Sequence, residues 1–219
     1  MRRLAGTAAV CAALLGGTAA IALAAPATIT ATGGDVFTGA PFNHDAGSVA
    51  QFNVTGGTHN VTATAKGPDG KALFRTATIN GGTVPVGGTQ YLAPGSYPFI
   101  CTVHPTTMTG DLVVGAGTPQ ARPSVTLKVL DTKLKKVVKK SQLRVKLTAT
   151  GTGNVPVDVL LGKKPVASRT QLDAPGSTVL KLPLTAKGRK ALAKKLKATL
   201  TVKSSIDFGS PVTATAKLK

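Results

Sequence analysis

From residue 28 to residue 117, short runs of Val, Thr, Ile and Phe alternate with glycine and proline turns. The turns fall at Gly33-Gly34, Gly56-Gly57, Pro68-Asp69-Gly70, Gly81-Gly82, Gly87-Gly88 and Pro94-Gly95. No stretch here keeps a 3.6-residue apolar period, so the pattern predicts strands joined by tight turns. Short strands with regular turn signals predict an antiparallel sandwich or barrel. In Tyr97-Pro98-Phe99-Ile100-Cys101, residues Tyr97, Phe99 and Cys101 share one face at period two. The thiol of Cys101 is therefore expected to point into the protein.

After residue 124 the alternation changes character. Polar residues, among them Lys128, Lys146 and Lys181, alternate with apolar ones in Ser124–Leu130, Leu143–Leu147, Val155–Leu160, Val179–Leu182, Ala198–Val202 and Val212–Ala216. One face of each strand is then apolar and the other wet, as in an antiparallel sheet with one solvated side. Thr185–Leu196 breaks this pattern: Leu192 and Leu196 lie one helical turn apart. A short crossover helix with Thr185 as its N-cap is expected. The fold class expected is all-β: two β-sandwiches, the second with a short crossover helix.

Charge separates the two halves. From Ala25 to Pro119 there are three basic and four acidic residues, a net of −1; from Gln120 to Lys219 there are 22 and 4, a net of +18. The change falls in a Gly/Pro/Thr stretch that reads as a linker. At the N-terminus, Met1-Arg2-Arg3, an Ala/Gly-rich apolar run to Ala24 and the small-x-small Ala22-Leu23-Ala24 form a secretory signal peptide. Retention of this run as a membrane anchor is the alternative. The expected divisions are a signal peptide at 1–24, a first domain at 25–117, a linker at 118–123 and a basic domain at 124–219.

Without the leader, which takes Cys11, the chain keeps one cysteine and one methionine, placed in Cys101-Thr102-Val103-His104-Pro105-Thr106-Thr107-Met108. An unpaired cysteine in an exported protein is a reactive thiol, an intermolecular bridge or a metal ligand. Its inward direction favours the metal. His59 lies upstream in Thr58-His59-Asn60-Val61. One thiolate, two imidazoles and one thioether are the donor set that selects copper in an electron-transfer site. His44, in Phe42-Asn43-His44-Asp45, has no partner motif and reads as a solvated loop residue. Gly56-Gly57 is expected to make the approach to His59 flexible.

Residues 28–117 resemble the cupredoxins, the plastocyanin/amicyanin/pseudoazurin-like blue copper family. The likeness is carried by His59-Asn60-Val61, by Leu92-Ala93-Pro94-Gly95-Ser96-Tyr97-Pro98-Phe99-Ile100-Cys101, and by Cys-x2-His-x3-Met followed by Thr109-Gly110-Asp111-Leu112-Val113-Val114. The resemblance implies a Greek-key sandwich that binds one copper ion. It implies His59, Cys101 and His104 as equatorial ligands, Met108 as the axial ligand, and Asn60 as the residue that ties the two ligand loops together. The basic domain is similar to the lysine-rich immunoglobulin/fibronectin-III-like modules of secreted bacterial proteins, through its alternation and through Leu184-Thr185-Ala186-Lys187-Gly188-Arg189-Lys190-Ala191-Leu192.

The function implied is an exported mononuclear type 1 copper protein that carries single electrons by Cu(I)/Cu(II) cycling. The alternative is an extracytoplasmic copper-handling protein without an electron-transfer role. The sequence holds no HExxH, nucleophile elbow, P-loop or paired carboxylates, so no enzymatic activity is expected. The partners expected are a redox protein and an anionic surface of the bacterial cell envelope, the latter met by the basic domain. Nucleic acid is not expected, because Phe208 is that domain's sole aromatic residue and bases would have almost nothing to stack on.

Overall fold

A computed structural model describes residues 26–171 and 175–219; the signal peptide expected at 1–24 lies outside the described residues. The first unit contains β1 (Thr28–Thr32), β2 (Val36–Thr38), β3 (Phe42–Ala46), β4 (Gln51–Val54), β5 (Thr62–Ala63), β6 (Gly82–Pro85), β7 (Gly95–Ile100) and β8 (Thr109–Gly117). These form two four-stranded sheets, β2-β1-β4-β6 and β3-β8-β7-β5.

Phe99 anchors the core between these sheets. Its ring meets those of Phe37, Phe42 and Phe74 at centroid distances of 5.0, 5.6 and 6.2 Å. Across the β7–β8 ladder its partner is Gly110, where any Cβ would collide with the ring. The missing side chain leaves room for the aromatic, and this fixes the inward face of β7 just before Cys101. Two pairings depart from the antiparallel expectation: β1 runs parallel to β4, and β3 parallel to β8. The chain passes from one sheet to the other and back between β2 and β4, and such crossovers permit parallel neighbours where hairpins do not.

His44 also departs from expectation. It lies in β3 and is buried, accepting the Ala27 main-chain N–H at Nδ1 (3.2 Å) and bonding the Ser48 carbonyl through Nε2 (3.1 Å). Burial pushes its pKa down, against smaller upward effects from Ser48 and Asp45. Its polar neighbours Asn43 and Asp45 hide a buried histidine in the sequence; the backbone partners reveal it.

The second unit contains β9 (Ser124–Val129), α1 (Leu134–Lys140), β10 (Gln142–Thr150), β11 (Val155–Leu161), β12 (Lys164–Gln171), β13 (Gly176–Pro183), α2 (Ala186–Ala193), β14 (Ala198–Ser204) and β15 (Val212–Leu218). Its sheets, β13-β10-β9 and β12-β11-β14-β15, close over a separate aliphatic core. The crossover helix α2 is present, with Thr185 as N-cap accepting the Gly188 N–H at 2.9 Å. Helix α1 was not expected: Leu134 and Val137 are buried, but they stand among five lysines that mask the period. Among the described residues no helix is long and apolar enough to cross a membrane.

A charged and aromatic clamp joins the units. Phe208 adopts left-handed backbone (φ 64°), which is rare for an aromatic residue, and its ring lies against Gly87 and Gly88 of the first unit. The Arg75 guanidinium caps that ring at 4.2 Å from its centroid, and Asp207 accepts from both Arg75 (2.9 Å) and Lys71 (2.8 Å). Asp69 accepts the Phe208 main-chain N–H at 3.0 Å. Burial pushes the Asp69 carboxyl up, but the N–H groups of Phe208 and Lys71 and the Arg75 guanidinium outweigh it and hold the pKa below its ordinary value.

His44 makes stability depend on pH. Its folded pKa lies below its unfolded value near 6.5, so the unfolded chain binds more protons as the pH falls through that value. The stability His44 contributes is present above pH ~6.5 and declines below it. Urea denaturation between pH 7 and pH 5 should show this decline in the native chain and a flatter profile in His44→Gln; identical slopes would refute the assignment.

Candidate metal centre

The loop after β7 is closed at its neck. Cys101 donates its main-chain N–H to the Met108 carbonyl at 3.0 Å, and inside the loop Met108 and Thr107 both donate to the His104 carbonyl, at 3.0 and 3.3 Å. Pro105 cannot continue a strand ladder, and the chain doubles back just after it. This short circuit places Cys101 and Met108 side by side on the main chain, and both side chains are fully buried.

His59 arrives on the segment between β4 and β5, the strand that pairs with β7. Its main chain exchanges two hydrogen bonds with Ile79, both 2.9 Å. The imidazole Nε2 donates to the Gly56 carbonyl at 3.0 Å, which places the proton on Nε2 and leaves the Nδ1 lone pair free. Gly57 has φ 83°, and a Cβ there would collide with the His59 ring. The glycine is thus required for close approach of backbone to imidazole; it packs the loop that it was expected to loosen.

These elements bring His59, Cys101 and His104 together, with one donor atom of each lying within 4.8 Å of the others. Cys101 Sγ is 4.0 Å from His59 Nδ1 and 3.9 Å from His104 Nδ1. Bonds of about 2.0 Å to imidazole and about 2.3 Å to thiolate, as at a first-row ion such as zinc, meeting at tetrahedral to trigonal angles, would set N and S roughly 3.5–3.7 Å apart. The observed separations exceed this by a few tenths of an ångström, so the three residues fit a metal ion with little movement. His59 and Cys101 are fully buried, while the His104 side chain is 29% exposed.

Asn60 is buried beside this cluster and binds both loops. Its Nδ2 donates to Thr102 Oγ1 and to Thr78 Oγ1 (3.0 Å), and its Oδ1 accepts the Thr102 main-chain N–H at 2.8 Å. A glycan on Asn60 Nδ2 would replace at least one of the two hydrogen bonds that this nitrogen donates.

Three further residues bear on the cluster without any signal in the sequence. Thr78 and Thr102 are ordinary loop residues, and only their bonds to Asn60 single them out. Asp35 lies in the β1–β2 turn with φ 53°, a left-handed conformation that Asp tolerates better than most residues. Its Oδ1 is 3.4 Å from His104 Nε2 and 3.9 Å from His59 Nε2. A carboxylate against the outer nitrogen of a ligating imidazole fixes ring orientation and raises ligand basicity. His44 stays bonded to Ala27 and Ser48 and takes no part in the cluster.

No family model matches the chain, and no curated protein does. Among solved structures, a point mutant of amicyanin in its reduced form is 18% identical over 41% of this chain and 82% of its own, with a TM-score of 0.30. Auracyanin A, a blue copper protein from Chloroflexus aurantiacus, is 20% identical over 42% of this chain and 100% of its own, with a TM-score of 0.31. A DUF3823 family protein from Parabacteroides merdae is 10% identical over 89% of this chain and 98% of its own, with a TM-score of 0.33. At such identities and scores, the case for a metal centre rests on this chain's own side chains.

The Asn60 bridge can be tested directly. Asn60→Ala strands the Thr102 N–H and should destabilise the metal-free protein by about 1–3 kcal/mol. Urea denaturation measures this, and a change within experimental error would show that the bridge contributes nothing.

Proposed function

We propose that the first unit holds one copper ion between His59 Nδ1, Cys101 Sγ and His104 Nδ1, with Met108 as a weaker fourth ligand, and that it carries single electrons. The observation that carries this reading is one thiol and two imidazole nitrogens aimed at a common point, with a buried thioether residue on the same loop. Soft thiolate and thioether donors beside imidazole favour copper, which also binds most tightly among the first-row divalent ions. When bound, copper supplies a couple between Cu(I) and Cu(II).

The protein's own residues do the rest. The Gly56 carbonyl holds His59 in the tautomer that presents Nδ1. Asn60 keeps the two loops at fixed separation, and the hydrogen bond from the Cys101 N–H to the Met108 carbonyl holds the loop neck closed. A cage held in this way changes little when the charge of the ion changes, which favours fast electron exchange. Burial of His59 and Cys101 keeps water and substrates away from the ion, in keeping with a carrier and not an enzyme. His104 is the donor that reaches solvent, so its edge is the place where a partner redox protein would exchange electrons.

Addition of one equivalent of Cu(II) to the metal-free protein should produce an intense visible thiolate-to-copper band and a reversible one-electron couple. Cys101→Ser should abolish the band. A colourless protein that holds only Cu(I) would favour copper handling without electron transfer, and failure to bind copper stoichiometrically would overturn both readings.

A further inference from the structure

The second unit gathers its charge at one end. Helices α1 and α2 pack against each other, and the segments carrying them, 133–140 and 185–197, hold five and six basic residues with no carboxylate. Of the unit's carboxylates with described contacts, Asp158 is bonded by Ser168 and Asp207 belongs to the clamp, while Asp131, beside Lys133 and Lys136, is buried and taken up by Arg144. Between the helices runs a groove of about 230 Å³ with an apolar floor that includes Leu134, Val138 and Leu192, rimmed by Lys135, Lys139 and Lys195. In the turn just after α2, between Lys195 and Lys197, Leu196 is 91% exposed.

We propose that this end of the molecule docks on an anionic phospholipid bilayer, with Leu196 entering the headgroup boundary and the lysines meeting phosphates. Charge complementarity alone would suit any polyanion. The fully exposed leucine and the apolar groove add a contact that a bilayer rewards and a linear phosphate polymer does not. Topology gives the orientation. Leu196 precedes the first residue of β14, whereas Phe208 of the clamp follows its last, so the two sit at opposite ends of a seven-residue strand about 20 Å long. Likewise α1 follows the end of β9 remote from the linker. The docked protein would therefore hold its first unit, and the His59–Cys101–His104 cluster, away from the membrane. None of this depends on which metal the cluster binds.

The test is co-sedimentation of the purified protein with vesicles of phosphatidylcholine alone and of phosphatidylcholine mixed with phosphatidylglycerol. Binding is expected to the mixed vesicles only, and should weaken as salt rises. The substitution Leu196→Asn leaves charge unchanged and, at so exposed a position, should leave thermal stability unchanged, yet it should weaken vesicle binding about tenfold. Combining Lys135→Glu with Lys139→Glu should remove binding, with circular dichroism verifying the fold. Equal binding to neutral vesicles would overturn the proposal. So would full affinity of Leu196→Asn together with complete displacement by inorganic polyphosphate, which would mark a site for a soluble polyanion.

Discussion

One side-chain amide holds together two loops that lie 42 residues apart in the chain. Asn60 donates to Thr102 Oγ1 and accepts from the Thr102 N–H, so the residue beside His59 is stitched to the residue beside Cys101. The spacing of His59 and Cys101 depends in part on that stitch. The apolar core beneath, centred on Phe99 over Gly110, supplies the rigid floor, but it fixes only the β7 side. Were the amide absent, the His59 segment would stay tied through Ile79 and Thr76 and, from Thr62 onward, through the β5–β7 ladder at Ile100, and the gap between imidazole and thiol would be held less tightly.

A cage held in place by the protein's own hydrogen bonds has consequences in both directions. It lowers the cost of binding, because no loop must be ordered at that moment. It also limits how far the donors can follow an ion that changes charge. The Asp35 carboxylate adds a negative charge at the outer edge of the two imidazoles, on the half-exposed side where the cluster meets solvent. Its position on a tight turn with left-handed backbone keeps the carboxylate close to both rings.

Much of this was readable from the chain, and the reasons for the rest are physical. The Cys101–Met108 loop is local, so spacing and Pro105 reveal its shape, and the strands of both units follow from alternation. Helix α2 announces itself through Thr185. What stayed hidden depends on contacts between distant segments. Asp35, Thr78 and Thr102 are ordinary turn and loop residues until the fold places them. His44 looks like a polar loop residue because its partners are main-chain groups of Ala27 and Ser48. Helix α1 is concealed because lysines occupy positions on all sides of a short apolar stripe. Phe208, the lone aromatic of a basic unit, acquires meaning only once Gly87 and Gly88 offer it a flat surface.

The two units thus divide the labour: a neutral sandwich cages the donors, and a basic one carries surface charge at its far end. The clamp of Arg75, Asp207 and Phe208 joins them. Whether the cage truly precedes the ion is decided by crystal structures of the metal-free and copper-loaded protein. Preorganisation predicts that His59, Cys101 and His104 keep their rotamers, and that the two Nδ1–Sγ separations shorten by only a few tenths of an ångström from 4.0 and 3.9 Å. A flipped imidazole, or a Cys101 side chain turned outward with copper held elsewhere, would contradict it.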